Sequence, residues 1–350
     1  MYAFMADIHL GVKLPNEDYL KSLDMFLGLI KKHEEPCHGI FVLGDLFDHR
    51  LSVEEARFAS LFIVNLVCNK CGPNSTNVPV YFIHGTYGHD LDQYDIFMPL
   101  LNKIPDANVL FFKNAASFTT PEGLKVLCIP HETGDLDYTE LFNYQYDIIA
   151  GHGVIASNTK NPCKTDAGII HSSDKLGSIS KLCVFGHYHG LTDFGNNVYY
   201  IGPWTRWKYG EDEKRVFFFC DDNFKVTTVP NPFAMEFKTI EINDPDELRD
   251  IIAKEIQTPY RFIINSDSED MDTYRGIILA TKHNQNIKYQ LSEIEREEEF
   301  VMNDTIEQND NVSRPIPSLV EFIKQKYGVD ATNKLGEYEA RIRKENGNVV

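Results

Sequence analysis

Five times in this sequence a short apolar run rich in β-forming residues breaks off into an aspartate or a histidine. Phe4-Met5-Ala6 runs into Asp7-Ile8-His9, and Ile40–Leu43 into Gly44-Asp45-Leu46-Phe47-Asp48. Val80–Ile83 runs into a glycine-containing loop ending His89-Asp90, Ile148–Ala150 into Gly151-His152, and Val184-Phe185 into Gly186-His187-Tyr188-His189. Such runs read as largely buried strands. Between the early ones lie two amphipathic helical patterns. One covers about 17–33, with Tyr19, Leu20, Leu23, Phe26, Leu27 and Ile30 on one face. The other covers about 53–70 and is opened by Ser52 with Glu55 three residues on, the spacing of a capping box. Strand alternating with helix predicts an α/β (α+β) domain, and in open α/β sheets the crevice at the carboxyl ends of the strands binds ligands. One edge would then gather Asp7, His9, Asp45, His89, His152, His187 and His189.

Further strand-like runs at Val109–Phe112, Val126–Ile129, Val198–Ile201 and Val216–Phe219 complete a first domain over residues 1–230. The later runs are closely spaced, as hairpins are, which predicts a second sheet packed on the first. Asn231-Pro232 marks a boundary. Residues 233–292 read as a small α+β unit, with strands at Phe237–Ile242 and Tyr260–Ile264, a helix at about 246–256 and another strand near Ile277–Ala280. Residues 293–314 read as a linker, its first eighteen positions holding eight acids and one arginine. Residues 315–350 read as a helical hairpin. Ser318 and Glu321 repeat the capping-box spacing, Leu319, Phe322, Ile323 and Tyr327 share a face before Gly328, and Leu335, Tyr338 and Ile342 keep register in a second helix. So small a hairpin must dock on something, this chain or a partner.

A single histidine after a strand is more often a packing or surface residue than a ligand, but here several occur together. The D-x-H at Asp7/His9 and the H-x-H at His187/His189 are specific, because residues i and i+2 can reach one metal where the backbone leaves strand geometry. Mixed imidazole and carboxylate ligands suit Mn²⁺, Fe or Zn²⁺. Seven such groups suggest two ions bridged by one carboxylate, best assigned to Asp45, about 3.5–4 Å apart. Two ions clamping a phosphoryl oxygen and acidifying a water is the chemistry of phosphoester hydrolysis.

The set Asp7-x-His9, Gly44-Asp45-x-x-Asp48, His89-Asp90, Gly151-His152 and Gly186-His187-x-His189 resembles the calcineurin-like metallophosphoesterase superfamily. The opening Asp-Ile-His-Leu-Gly, the block Gly-Asp-Leu-Phe-Asp, and Tyr200-Ile201-Gly202-Pro203-Trp204 with Gly210-Glu211 resemble more narrowly the SbcD-type DNA nuclease subunits, among them the recombination endonuclease subunits of large tailed phages. The resemblance covers the chain to about residue 230 and implies a two-sheet β-sandwich flanked by helices, followed by a small capping domain and a C-terminal hairpin. It implies one metal held by Asp7, His9, Asp45 and His189, and a second held by Asp45, His152 and His187. His89 would be the acid that protonates the leaving oxygen, oriented by Asp48 or Asp90. Mn²⁺ leads as the metal, with Mg²⁺, Fe and Zn²⁺ as alternatives. The implied partners are DNA, an SbcC-type ATPase with a long coiled coil gripped by residues 315–350, and a second copy in a homodimer. One motif departs from the family, whose Gly-Asn-His-Asp supplies an asparagine to the second metal. Here the loop reads Gly85-Thr86-Tyr87-Gly88-His89-Asp90, so that either Thr86 takes that place or no side chain does. His84 could swing in, though a strand-end histidine more often packs.

Other residues weigh less. Trp204, Arg206, Trp207 and Lys208 read equally as a base-stacking loop and as core. His171 reads as part of a mobile surface loop, His131 as structural, and His33, His38 and His49 as turn residues. Cys68 and Cys71 make one C-x-x-C without a second pair, which reads as a helix end with two thiols rather than zinc. Seven scattered cysteines argue against a disulfide framework and for a cytoplasmic setting. No apolar run approaches the length of a membrane span, and Asp7 and His9 interrupt the apolar N-terminal stretch, so no signal peptide is expected.

With 34 basic and 52 acidic side chains the formal charge is −18, which argues against a free-standing clamp held on DNA by phosphate neutralisation. Seven of those negative charges lie in residues 293–310, and two divalent ions would offset four more. Two alternatives share the same motifs: a hydrolase of nucleotides or small phosphoesters, and a scaffold that keeps the fold without turnover.

Overall fold

The computed structural model describes residues 1–12, 16–101, 103–131, 139–157, 169–211, 214–254, 258–265, 269–281, 283–284 and 286–292. Met1–Ile294 form one compact unit; the second unit, Glu295–Val350, lies outside the described residues, and with it the linker and hairpin read from the sequence.

The chain begins β1 (Tyr2–Met5), α1 (Asn16–Lys32), β2 (Gly39–Leu43), α2 (Val53–Val67), β3 (Val80–Ile83), α3 (Tyr87–Asp90), α4 (Tyr94–Leu101), β4 (Val109–Phe112). It continues through β5 (Ala116–Thr119), β6 (Lys125–Ile129), β7 (Tyr146–His152), β8 (Val154–Ala156), β9 (Ile170–Ser172), α5 (Ser173–Ile179), β10 (Ser180–Gly186), β11 (Thr192–Gly195), β12 (Val198–Tyr200), β13 (Val216–Cys220) and β14 (Val226–Pro230). Last come β15 (Lys238–Ile242), α6 (Pro245–Ile252), β16 (Tyr260–Asn265), α7 (Met271–Thr281) and β17 (Ile287–Ser292).

Two six-stranded mixed sheets carry the architecture, ordered β14-β13-β1-β2-β3-β4 and β11-β12-β10-β7-β6-β5. In the first, β1 to β4 run parallel and β13 and β14 are antiparallel additions. In the second, β12, β10, β7 and β6 run parallel, and only the edges β5 and β11 pair antiparallel. Hairpins therefore form at edges of the sheets rather than building the second sheet, because β6, β7 and β10 are joined by crossovers that local spacing does not reveal.

Alternation along each strand divides the side chains between layers. Tyr2, Phe4, Phe41, Leu43, Tyr81 and Ile83 of the first sheet share one core with Val126, Cys128, Ile148, Ala150, Leu182 and Val184 of the second. The opposite face of the first sheet packs on Leu23, Phe26 and Ile30 of α1 and on Phe62, Ile63 and Leu66 of α2. The capping box at Ser52 and Glu55 forms as the spacing predicts, with each side chain accepting a backbone N–H. On the far face of the second sheet, Leu176 and Ile179 of α5 pack with Ile149, Cys183 and Phe185.

The last strands and helices form a βαβαβ unit whose three strands are all parallel, in the order β15-β16-β17. Here the sequence reading needs correction: Ile277–Ala280 is not a strand but part of α7. Met271, Tyr274, Ile277 and Ile278 recur at helical spacing and pack on the small sheet, a period that outweighs the β-branched character of the isoleucines. The third strand is β17, where Ile287 and Tyr289 face that core in alternation with Lys288 and Gln290. The described cysteines are free, with Cys71 buried near the end of α2 as a helix-end thiol. Among the described residues no helix is long and apolar enough to cross a membrane.

Candidate metal centre

The carboxyl ends of β1, β2 and β3 meet those of β7 and β10 across the shared core. The first contacts are between backbones: Asp7 N–H donates to the Gly44 carbonyl at 3.2 Å, and His9 N–H to the Asp45 carbonyl at 3.0 Å. The approach is tight enough to require glycine at two positions. A Cβ on Gly44, which has φ +71°, would come within 2.6 Å of Gly85 Cα, and one on Gly85 would overlap the backbone nitrogen of Asp45. Gly85→Ala is accordingly expected to destabilise the fold by about 2–3 kcal/mol and to displace Asp45. Urea denaturation checks the first effect and Mn²⁺ titration the second.

Four residues of this cluster adopt a backbone that L-residues avoid. Asp7 (φ 51°), His9 (φ 51°), Asp45 (φ 45°) and His187 (φ 102°) all have positive φ. Such conformations cost about 1–3 kcal/mol each and persist only where their surroundings enforce them, typically at functional sites. At Asp7 and His9 this turn out of strand geometry lets residues i and i+2 face one space.

Within that space the side chains fall into groups. Asp7, His9 and His189 can bring one donor atom each within 4.8 Å of one another, and so can Asp45, His152 and His187. Asp45 belongs to both neighbourhoods, since its Oδ2 lies 3.3 Å from His152 Nε2 and 3.7 Å from His9 Nε2. From the sequence Asp45 is expected in both sets, whereas the compact groups hold it with His152 and His187 only. A third set, His9, Asp48 and His89, adjoins them.

The imidazoles are oriented alike. His9 donates from Nδ1 to Asp48 Oδ1 at 3.1 Å, His152 from Nδ1 to the Leu43 carbonyl at 2.8 Å, and His189 from Nδ1 to Glu211 Oε1 at 3.4 Å. His9 and His152 thereby turn Nε2 toward Asp45 Oδ2, at 3.7 and 3.3 Å, the arrangement in which a neutral histidine binds metal. Asp7 Oδ2 and His9 Nε2 are fully buried without a hydrogen-bond partner. Asp7 Oδ1 accepts the His187 backbone N–H at 2.8 Å. Buried lone pairs facing buried carboxylate oxygens call for positive charge, so the donor set fits divalent cations.

Burial opposes ionisation of Asp45, yet the imidazoles of His152 and His9 hold its carboxyl well below the usual carboxylate range. Burial alone would depress His152, but the carboxylates of Asp45 and Asp7 outweigh it and raise the imidazole. His9 shifts down because desolvation dominates. Asp48, hydrogen-bonded to His9 and His49, is lowered to about 2 and stays anionic.

The loop after β3 sorts its residues into separate tasks. Thr86 donates its N–H to Asp45 Oδ1 at 2.6 Å, and its hydroxyl lies 3.3 Å from Asp45 Oδ2 and 3.4 Å from His152 Nε2. Thr86 is therefore at the second group. His89 sits nearer the surface, its ring 4.6 Å from that of His9, and donates from Nδ1 to the Asp48 backbone carbonyl at 2.6 Å. The Asp48 carboxylate stands farther off, at 4.0 Å. Asp90 faces elsewhere: its buried carboxylate accepts the N–H groups of Gly85 at 2.7 Å and Phe47 at 3.2 Å, tying the β2 and β3 loops together. Burial and the neighbouring Asp45 raise the Asp90 carboxyl. Its position makes it a brace for the loops, with Asp48 the residue that orients His89. His84 packs, with Nδ1 2.9 Å from the Gly85 carbonyl and Nε2 2.8 Å from the Leu91 carbonyl.

Three further residues at the site lie outside the ligand sets expected from the sequence. His131, just past β6, has its ring 5.0 Å from His187 and 5.8 Å from His152; its place after a strand neighbouring β7 was the available signal. Trp207 lies with its ring 4.0 Å from His9 and 4.3 Å from His189, whereas Trp204 is buried in the core against Phe26 and Phe217. Glu211, buried, binds His189, the Trp207 N–H at 3.1 Å and Arg215 at 3.1 Å. His171 is buried beside Phe185 rather than in a surface loop, and burial lowers it to about 4. A cleft of about 270 Å³ opens beside the groups, lined by His187, Tyr188, His189, Lys208 and Glu211.

No family model matches the sequence, and no curated protein does. A crystal structure of the protein of unknown function AQ665 from Aquifex aeolicus is similar at 14% identity with a TM-score of 0.24, over 51% of this chain and 93% of that one. A likeness of that size carries no argument about fold or function.

Proposed function

We propose that this chain is a metal-dependent phosphodiesterase acting on DNA, of the calcineurin-like metallophosphoesterase kind and nearest to SbcD-type nuclease subunits. The observation that carries the reading is the placing of His9 and His152, whose Nε2 atoms lie 3.7 and 3.3 Å from the buried Asp45 Oδ2, with His9 Nε2 and Asp7 Oδ2 buried and without a hydrogen-bond partner. On this reading the two facing sheets form the sandwich of that superfamily. Asp7, His9, Asp45 and His189 would hold one divalent cation, and Asp45, His152 and His187 another, with Mn²⁺ the leading metal. When bound, the pair would supply charge to the phosphoryl oxygens and activate water.

The chain's own residues do the rest. Asp48 and Glu211 fix the tautomers and ring planes of His9 and His189. Asp90 holds the loops bearing Asp45 and Thr86 in register. His89, anchored through Nδ1, has Nε2 free to hold a proton and give it to a leaving oxygen. Exposed Lys208 at the cleft, with Arg261 and Lys288 nearby around Tyr209, gives an acidic chain a local cationic surface suited to a phosphate backbone. Binding by so few cations would be weak. The grip on duplex DNA would come from a partner, an SbcC-type coiled-coil ATPase held by residues 315–350.

Thr86 gives this reading a specific consequence. A hydroxyl is a poorer donor than an amide oxygen, so the second cation should bind more weakly than the first. Thr86→Asn should tighten it by roughly tenfold, about 1.4 kcal/mol, in a Mn²⁺ titration followed by electron paramagnetic resonance. Two equally tight sites in the unaltered protein would contradict the assignment. The wider proposal is tested by assaying linear duplex DNA and a small chromogenic diester with Mn²⁺. Cleavage of both supports it, and cleavage of the diester alone would favour a small-phosphoester hydrolase.

A further inference from the structure

Residues 204–211 run from the core, past the metal centre, to the small sheet, and each contact along this strap is specific. Trp204 is anchored in the core between α1 and β13. The Thr205 hydroxyl accepts the Met235 N–H at 2.9 Å, and Arg206 donates to the Met235 carbonyl at 3.3 Å and the Glu211 carbonyl at 2.7 Å. Trp207 covers the rings of His9 and His189. Tyr209 then inserts into the βαβαβ unit: its ring meets Phe237 edge-on at 5.1 Å and lies 5.0 Å from the Arg261 guanidinium and 5.6 Å from Lys288 Nζ. Arg261 and Lys288 are paired in register on adjacent strands β16 and β17. Glu211 closes the strap by holding both the Trp207 backbone and His189.

We infer that Trp207 is a positioning residue roofing the Asp7–His9–His189 group, and that Tyr209 pins this roof to the small sheet, so that the small sheet sets how tightly that group holds a divalent cation. The inference rests on the metal-site reading proposed above. Physically, a ring packed on two imidazoles limits their rotation and keeps water from their faces. A roof tethered at both ends loses less freedom when the group closes on an ion. The Asp45–His152–His187 group has no such cover from Trp207, so the coupling should act on one site and spare the other.

The test is a Mn²⁺ titration of the full chain by electron paramagnetic resonance, with tryptophan emission read in parallel. Tyr209→Ala and Trp207→Ala are expected to weaken the tighter site roughly tenfold and to leave the weaker one within twofold. Trp207→Phe, which keeps an aromatic roof, should stay within threefold of the parent at both sites. With only two tryptophans in the chain, paramagnetic quenching by the first Mn²⁺ should be present in the parent and lost in Trp207→Phe. Unchanged affinity in both alanine variants would overturn the inference, as would equal weakening of both sites, which would signal general destabilisation. Absence of Mn²⁺ binding by the parent chain would instead overturn the metal-site reading itself.

Discussion

Asp45→Asn is expected to abolish tight binding of both divalent cations and to lower phosphodiester cleavage by about 10³-fold or more. Asp45 Oδ2 stands between His9 Nε2 and His152 Nε2, and the residue thereby reaches both ligand groups. The amide preserves shape and can still accept the Thr86 N–H at Oδ1, so the loop should keep its conformation while the shared negative charge is lost. Several kcal/mol of charge stabilisation, at about 1.36 kcal/mol per tenfold in rate, gives that magnitude. Equilibrium dialysis with Mn²⁺ and a diester assay measure the two effects. Loss of only one ion would make Asp45 a ligand of a single site.

His89→Gln separates proton transfer from metal binding. His89 is outside both principal groups, is held through Nδ1 by the Asp48 carbonyl, and is the imidazole nearest the surface of the site. Its replacement should reduce DNA cleavage by about 10²–10⁴-fold, the usual worth of a positioned general acid, with Mn²⁺ affinities unchanged within twofold. A substrate whose leaving group needs no proton should recover much of the rate. Full cleavage of DNA by the variant would remove His89 from the chemistry.

Much of this was legible in the sequence because it rests on local pattern. Strand cores such as Ile40–Leu43 and Val80–Ile83 are continuous apolar runs, and α1 and α2 carry clear helical stripes, so their existence follows from burial alone. The convergence of Asp7, Asp45, His152 and His187 follows from parallel strands sharing one end. What local pattern could not show depends on pairing across the chain. The positive φ angles at Asp7, His9, Asp45 and His187 are imposed by the opposing loops. Asp90 looked like a partner for the adjacent His89, but its acceptors are satisfied by N–H groups five and forty-three positions away. Trp207 and Trp204 are three residues apart and indistinguishable by composition, yet one roofs the site and the other fills the core. The isoleucines of α7 show the reverse failure, where residue type favoured a strand and spacing favoured a helix.

Two ligand groups that share Asp45 are expected to hold a pair of divalent cations. Electron paramagnetic resonance of the protein titrated with Mn²⁺ tests it most directly. Two ions per chain are expected, the second weaker than the first, with exchange-coupled features growing in as the second binds and vanishing in Asp45→Asn. A single uncoupled Mn²⁺, or no bound Mn²⁺ at all, would contradict it.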